Sequence, residues 1–114
     1  MKEPRIYVPK SDQYMPTRKD LTRLITGFPL LPEGFTATKI MLTKVAPNGE
    51  FSSHVDEYHH VFYFISGQGR GHVDNRYYDI VPQTIVEVPA GIVHGYQNLG
   101  SEPMQLVSIN IPTA

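Results

Sequence analysis

The sequence contains no cysteine. Disulfide bonds and thiol nucleophiles are therefore excluded, and any bound metal must be held by histidine, aspartate or glutamate. There is no excess of basic residues either: the formal net charge is -1 over 114 residues, which gives no reason to expect nucleic acid as a partner. No apolar run is long enough to cross a bilayer, and "MKEPRIYVPK" lacks the apolar core of a signal peptide. We therefore expect a cytoplasmic protein that binds neither nucleic acids nor membranes.

The composition is that of a single globular domain, with 40% hydrophobic and 18% charged residues. Ten prolines and nine glycines divide the chain into segments too short for stable helices. Between them lie runs rich in β-branched and aromatic residues, "TATKIMLTKV", "HVFYFIS", "TIVEV" and "MQLVSINI". This pattern predicts an all-β sandwich or barrel. "TRKDLTRLI", residues 17–25, is the one helical candidate and is equally compatible with a strand.

Alternation along the predicted strands indicates which side chains face the core. In "HVFYFIS", His60, Phe62 and Phe64 share one face, and the opposite face is also apolar. Such a strand is expected to be buried on both sides, with its outer side against a second sheet or another subunit. In the last strand, Val107, Ile109 and Ile111 form an apolar set that is predicted to face inward. The alternate residues, Leu106, Ser108 and Asn110, are predicted to face outward.

The segment "HVDEYHH", residues 54–60, concentrates three histidines and two acids directly before a strand. If the preceding residues are extended, His54 and Asp56 project to the same side, and His60 can face them from the next strand. Imidazoles converging with a carboxylate suit a divalent first-row metal. Taken alone, the segment is explained about as well by solvated histidines in a turn.

A second segment, "PAGIVHGYQN", places His94, Tyr96 and Asn98 on one face of another strand. With it the chain resembles the cupin family, whose motifs are G(X)5HXH(X)3-4E(X)6G and G(X)5PXG(X)2H(X)3N. The second motif is matched by Pro89, Gly91, His94 and Asn98, with Gln83 in place of its first glycine. The first motif is matched by His54 and Gly67, and by Gly49, which lies one residue closer to His54 than the motif requires. Asp56 stands in place of its second histidine, and His60 in place of its glutamate. The resemblance covers residues 37–111.

The resemblance implies a double-stranded β-helix, or jelly-roll β-barrel, formed by residues 37–114, with residues 1–36 as an N-terminal arm of strands packed on it. It also implies one divalent transition metal ion (Fe, Mn, Ni, Zn or Cu) held by His54, Asp56, His60 and His94. Aspartate is shorter than histidine, so Asp56 either ligates the metal or orients an imidazole from outside the ligand set. The predicted pocket wall consists of Met41, Thr43, Phe51, Phe62, Phe64, Val107 and Ile109.

Cupin chemistry is too varied for the fold to choose a reaction. We expect a metal-dependent enzyme of dioxygenase, isomerase or lyase type, with Tyr96 as the candidate catalytic residue; the alternative is a non-catalytic module that binds a small ligand. No lysine or arginine falls on a predicted inward face, so the ligand is expected to be small, neutral or singly charged, and partly apolar. His59 is expected at the surface, and His72 in a solvated or cross-strand role. The apolar outer face of "VFYFI" predicts a homodimer.

Overall fold

The computed structural model describes residues 3–113, which form strands joined by turns together with one short 3-10 helix, Ser11–Gln13. The strands are β1 Met15–Pro16, β2 Thr22–Pro29, β3 Lys39–His54, β4 His59–Ser66, β5 Gly69–Val73, β6 Arg76–Ile80, β7 Ile85–Val88, β8 His94–Asn98 and β9 Met104–Ile111. The all-β prediction is confirmed. Residues 17–25 form a turn and the start of β2, so the helical alternative is wrong for that segment.

The strands form one curled antiparallel sheet in the order β6-β5-β8-β3-β9-β4-β7. The long strand β3 joins its two halves, because residues 39–45 pair with β9 and residues 50–54 pair with β8. β2 pairs with the other edge of β3, and β1 pairs with β2. The jelly-roll prediction agrees with this curled arrangement, in which strands distant in sequence meet around a shared interior.

The core lies inside the curled sheet and is built from alternate residues of the strands. Val45, Phe64, Met104 and Leu106 are fully buried there. In β4, His60, Phe62 and Phe64 face the interior, whereas Tyr63 and Ile65 remain partly exposed on the outer side. The described chain thus leaves the outer face of β4 open to solvent.

The facing predicted for β9 is wrong. Leu106 is fully buried, and Ser108 and Asn110 follow it on the inner face; the Oγ of Ser108 lies 3.1 Å from Oγ1 of Thr43. Val107 and Ile109 are therefore on the outer face, where Val107 pairs with Tyr63. Hydrophobicity alone predicts the apolar set inward. That prediction is wrong because the inner positions face the cavity, where Ser108 contacts Thr43 and Asn110 contacts His60.

Candidate metal centre

Three imidazoles converge at one end of the barrel interior because of strand register. His54, the last residue of β3, lies directly opposite His94, the first residue of β8. His60 enters from β4, and its ring centroid lies 4.7 Å from that of His94. The side chains of His54, His60 and His94 are almost entirely buried. The structure therefore brings together histidines that are up to 40 residues apart in the chain.

Asp56 completes the cluster from the loop between β3 and β4. Its Oδ2 lies 2.7 Å from Nε2 of His60, 2.9 Å from Nε2 of His54 and 3.7 Å from Nε2 of His94. The potential ligand atoms of all four side chains lie within 4.8 Å of one another. The four residues predicted as metal ligands thus share one site, although Asp56 reaches it from a loop and not from an extension of β3.

The outer nitrogen of each imidazole is already bonded. Nδ1 of His54 donates to the carbonyl oxygen of Ser52 at 2.7 Å, and Nδ1 of His94 donates to that of Ile92 at 2.9 Å. Nδ1 of His60 donates to Oδ1 of Asn110 at 3.0 Å. A neutral imidazole that donates through Nδ1 presents a lone pair at Nε2. All three Nε2 atoms therefore point into the cluster, where each can offer a lone pair to a metal ion.

This arrangement fits a cation. An Nε2 lone pair and a carboxylate oxygen at 2.7 to 2.9 Å repel each other unless a proton or a metal ion lies between them. Nε2 of His94 is buried and has no hydrogen-bond partner among residues 3–113, which is costly for a polar atom. A metal ion at the centre would satisfy these atoms together, and imidazole and carboxylate suit first-row divalent metals.

The protonation states agree with a metal-binding role. Burial lowers the pKa of His94 to about 4, so its imidazole is neutral at pH 7. Burial opposes ionisation of Asp56, but its contacts with His60, His54 and Arg18 outweigh burial and lower its pKa below the usual value. The site therefore offers a neutral imidazole and an ionised carboxylate, the forms that ligate metals.

Arg18, which sequence reasoning missed, anchors Asp56 from the side away from the imidazoles. Its Nη1 lies 3.2 Å from Oδ1 of Asp56 and donates to Oη of Tyr58, also at 3.2 Å. Arg18 precedes β2, 38 residues before its partner, and no sequence pattern links the two. Asn110 was missed for another reason. Ser108 and Asn110 are alternate polar residues of β9, but the apolar residues between them were predicted to face inward, which placed Asn110 on the outer face.

A cavity of about 380 Å³ opens beside the cluster, and His60 forms part of its wall. Four of the predicted pocket residues line it: Met41, Thr43, Phe51 and Phe62. The prediction is wrong for the other three, because Phe64 lies in the closed core and Val107 and Ile109 are on the outer face. The prediction that no arginine or lysine faces the pocket is also wrong, because Arg18 and Lys39 line it.

Tyr96 lines the cavity but is held as a core residue. Its ring packs edge-to-face against Phe51, Phe62 and Phe64, with centroids 5.6 to 5.7 Å apart. Burial strongly raises the pKa of its hydroxyl. The group therefore stays protonated at neutral pH, where it can donate a hydrogen bond but does not act as a base.

The motif residue Asn98 and the two histidines outside the cluster, His59 and His72, contact the backbone or a neighbouring strand. Nδ2 of Asn98 donates to the carbonyl oxygens of Val45 and Glu102, both at 2.9 Å. Nδ1 of His59 accepts a hydrogen bond from the backbone N–H of Ala90 at 2.9 Å. Nε2 of His72 lies 2.6 Å from Oγ of Ser53. None of these three side chains belongs to the cluster formed by the described residues.

A curled antiparallel barrel with a His-Asp-His-His group inside it defines a class of small β-barrel proteins with a site that could hold a metal ion. The family model for the cupin domain, Cupin_2, matches residues 41–110. The chain belongs to the cupin family.

Two motif positions that carry glycine in the family are occupied here by Asn48, with φ 68°, and Gln83, with φ 76°. Both keep the left-handed backbone that glycine favours, and Asn48, not Gly49, therefore stands at the first position.

Solved cupin-like structures resemble the chain over most of its length. The plu4264 protein from Photorhabdus luminescens has a TM-score of 0.81 at 18% identity, over 97% of this chain and 90% of that one. The polyketide cyclase RemF from Streptomyces resistomycificus has a TM-score of 0.80 at 18% identity, over 96% and 81%. A predicted oxalate decarboxylase from Thermotoga maritima has a TM-score of 0.78 at 16% identity, over 94% and 100%. These likenesses show the fold.

No curated protein matches the sequence at a significant level. As for membrane insertion, residues 3–113 contain no helix that is long and apolar enough to span a bilayer.

Proposed function

We propose that this cupin is a metal-dependent enzyme that acts on a small organic molecule. The observation that supports the proposal is the convergence of three Nε2 atoms and the Asp56 carboxylate at one buried point beside an open cavity. His54, Asp56, His60 and His94 would hold one divalent transition metal ion, of the group Fe, Mn, Ni, Zn and Cu. Such an ion supplies Lewis-acid or oxygen-activating chemistry.

The chain's own residues would bind and orient the substrate. His60 belongs both to the cluster and to the cavity wall, so a molecule in the cavity lies next to the metal position. Ile25, Met41, Phe51 and Phe62 provide an apolar surface for its body. Tyr96 would donate a hydrogen bond to it. Two structural neighbours, a polyketide cyclase and a predicted oxalate decarboxylase, illustrate that this fold hosts enzymes, but at their low identity neither reaction transfers to this chain.

One observation favours a second candidate, a non-catalytic module that binds a small ligand. Among the described residues that line the cavity there is no aspartate or glutamate, and Tyr96 is unsuited to act as a base. A reaction that needs a protein base apart from the metal-binding group would therefore be disfavoured. Dioxygenase or lyase chemistry that relies on the metal does not require an acidic residue in the cavity wall, and for that reason we rank the enzyme first.

The test measures metal content and turnover. The wild-type protein, reconstituted separately with Fe, Mn, Ni, Zn and Cu, is expected to retain about one ion per chain and to convert at least one member of a panel of diketones, sugars and aromatic diols. His94→Ala is expected to abolish metal retention, whereas His59→Ala, a matched change outside the cluster, is expected to leave it intact. An unchanged metal content in His94→Ala would contradict the proposed metal site. Metal retention without turnover would favour the binding module.

The chain is also proposed to form a homodimer through the outer face of its sheet. Leu42, Val107, Tyr63 and Ile85 lie in one continuous cross-strand row on that face. Tyr63 is 37% exposed and Ile85 is 63% exposed, so this row presents apolar surface to solvent. A second copy presenting the same apolar row would cover it.

A further inference from the structure

Two cationic side chains lie on the wall of the cavity that opens beside the candidate metal centre. Arg18 comes from the turn before β2, and Lys39 is the first residue of β3. Lys39 reaches the cavity through its pairing with Asn110 of β9, and the pairing of β2 with β3 brings the segment that carries Arg18 to the same cavity. The remainder of the wall is mainly apolar or uncharged, formed by residues such as Ile25, Met41 and Phe62.

The charges at this cavity do not balance. Asp56 is the one carboxylate in the histidine cluster, and the cavity wall formed by the described residues contributes no other. Arg18 and Lys39 supply two positive charges against that single buried negative charge, and a divalent ion would add two more. The carboxylate of Asp20 also lies 3.9 Å from Nε of Arg18, but its side chain is 74% exposed and outside the cavity wall, so solvent screens its charge. In a partly enclosed cavity such an excess is weakly screened, so it favours an anionic ligand.

Arg18 is held in place before any ligand arrives. Its backbone adopts φ 47°, a left-handed conformation that is uncommon outside glycine and tends to occur at functional positions. The N–H groups of Leu21 and Thr22 both donate to its carbonyl oxygen, at 2.8 and 2.9 Å. Nη1 is engaged with Asp56 and Tyr58, while Nη2 makes no hydrogen bond within the described chain. Nη2 is therefore available to donate hydrogen bonds to a further partner.

We propose that the cavity binds a small organic monoanion, a carboxylate with an apolar body. The carboxylate is bound by Arg18 and Lys39, and the body packs on Ile25, Met41, Phe51 and Phe62. A planar carboxylate matches the planar guanidinium. The volume of about 380 Å³ is at the lower end of small-molecule sites, which suits a ligand of this size. The substrate class assigned here rests on the proposed function, since it places that ligand beside the metal-binding group.

The experiment uses 3-phenylpropionate and its neutral analogue 3-phenylpropionamide as probes, with affinities measured by isothermal titration calorimetry on the full chain. Both metal-free and metal-loaded protein are titrated, and metal content is determined independently. The variants are Arg18→Met, Arg18→Lys and Lys39→Met. Lys19→Met is the matched control, because it removes one positive charge next to Arg18 from a residue that does not line the cavity.

The carboxylate is expected to bind at least about tenfold more tightly than the amide, in metal-free as well as metal-loaded protein. Arg18→Met should weaken carboxylate binding about tenfold or more and leave amide binding unchanged, whereas Lys39→Met should weaken it by about threefold. Arg18→Lys should retain part of the preference, and Lys19→Met all of it. If Arg18→Met does not fold, Arg18→Lys and Lys39→Met carry the comparison.

Equal affinity for carboxylate and amide, wild-type affinity in Arg18→Met, or binding of neither probe would overturn the proposal. Carboxylate binding only in the metal-loaded protein, with no effect of Arg18→Met, would also overturn it, because the metal alone would then hold the anion. A protein that retains no metal but keeps the carboxylate preference would contradict the proposed function and leave this inference standing. The two failures are therefore distinguishable.

Discussion

Oδ1 of Asn110 accepts a hydrogen bond from Nδ1 of His60 at 3.0 Å, across the directly paired residues of β9 and β4. This bond leaves the lone pair of His60 at Nε2, on the side of the metal-binding group. Asn110 is therefore a positioning residue for an imidazole, in contrast to His54 and His94, whose Nδ1 atoms are held by backbone carbonyls. Loss of the Asn110 side chain is the most direct way to disturb one ligand without removing it.

Asn110→Ala is expected to lower metal affinity by about 10- to 100-fold, as is typical when the partner of a metal-ligating histidine is removed. Competition with a chelator of known affinity measures the change. Ser108→Ala is the control, since Ser108 lies on the same face of β9 but contacts Thr43 and not an imidazole. Equal affinities in the two variants would show that the bond to His60 does not support the site.

Asp56→Asn tests the role of the carboxylate charge. The amide preserves the shape but provides no negative charge opposite the metal, so affinity should fall by at least about tenfold. Asp20→Asn is the matched control, because Asp20 also approaches Arg18, at 3.9 Å, but does not belong to the histidine cluster. Metal titration of both proteins gives the comparison, and a wild-type affinity in Asp56→Asn would contradict a role for the carboxylate in metal binding.

Phe64→Ala should destabilise the fold by about 3 to 5 kcal/mol, because it empties a fully buried core position. Phe35→Ala makes the same chemical change at a side chain that is 55% exposed and should alter the free energy of unfolding by less than about 0.5 kcal/mol. Urea denaturation of metal-free protein measures both values without a contribution from bound metal. Similar losses in the two variants would contradict the placement of Phe64 in the core.

Val107→Glu should convert the proposed dimer to a monomer, because two copies of the new carboxylate would be buried in a symmetric apolar interface. Leu99→Glu introduces the same charge at an exposed loop residue away from the outer row and is expected to leave the assembly unchanged. Size-exclusion chromatography with light scattering measures the molar mass. A monomeric wild-type protein would contradict the proposal directly.

Much of the fold could be predicted from the sequence because its signals are local. Proline and glycine spacing excludes long helices, and the apolar and β-branched runs mark strands such as β4 and β9. The candidate ligands were also readable, since His54, Asp56 and His60 lie close together in the chain and His94 follows a distinctive turn. These inferences required only residue type and spacing.

The tertiary structure decided which faces meet and which distant residues join the site. Alternation divides β9 into two sets but does not say which set faces inward, and the cavity, not hydrophobicity, selected Ser108 and Asn110. Arg18 reaches the cavity through the pairing of β2 with β3, and Lys39 through the pairing of β3 with β9. The physical reason is that residue type and periodicity are properties of a short segment, whereas the polarity of an interior and the partners of a charge depend on strands that meet only in the folded chain.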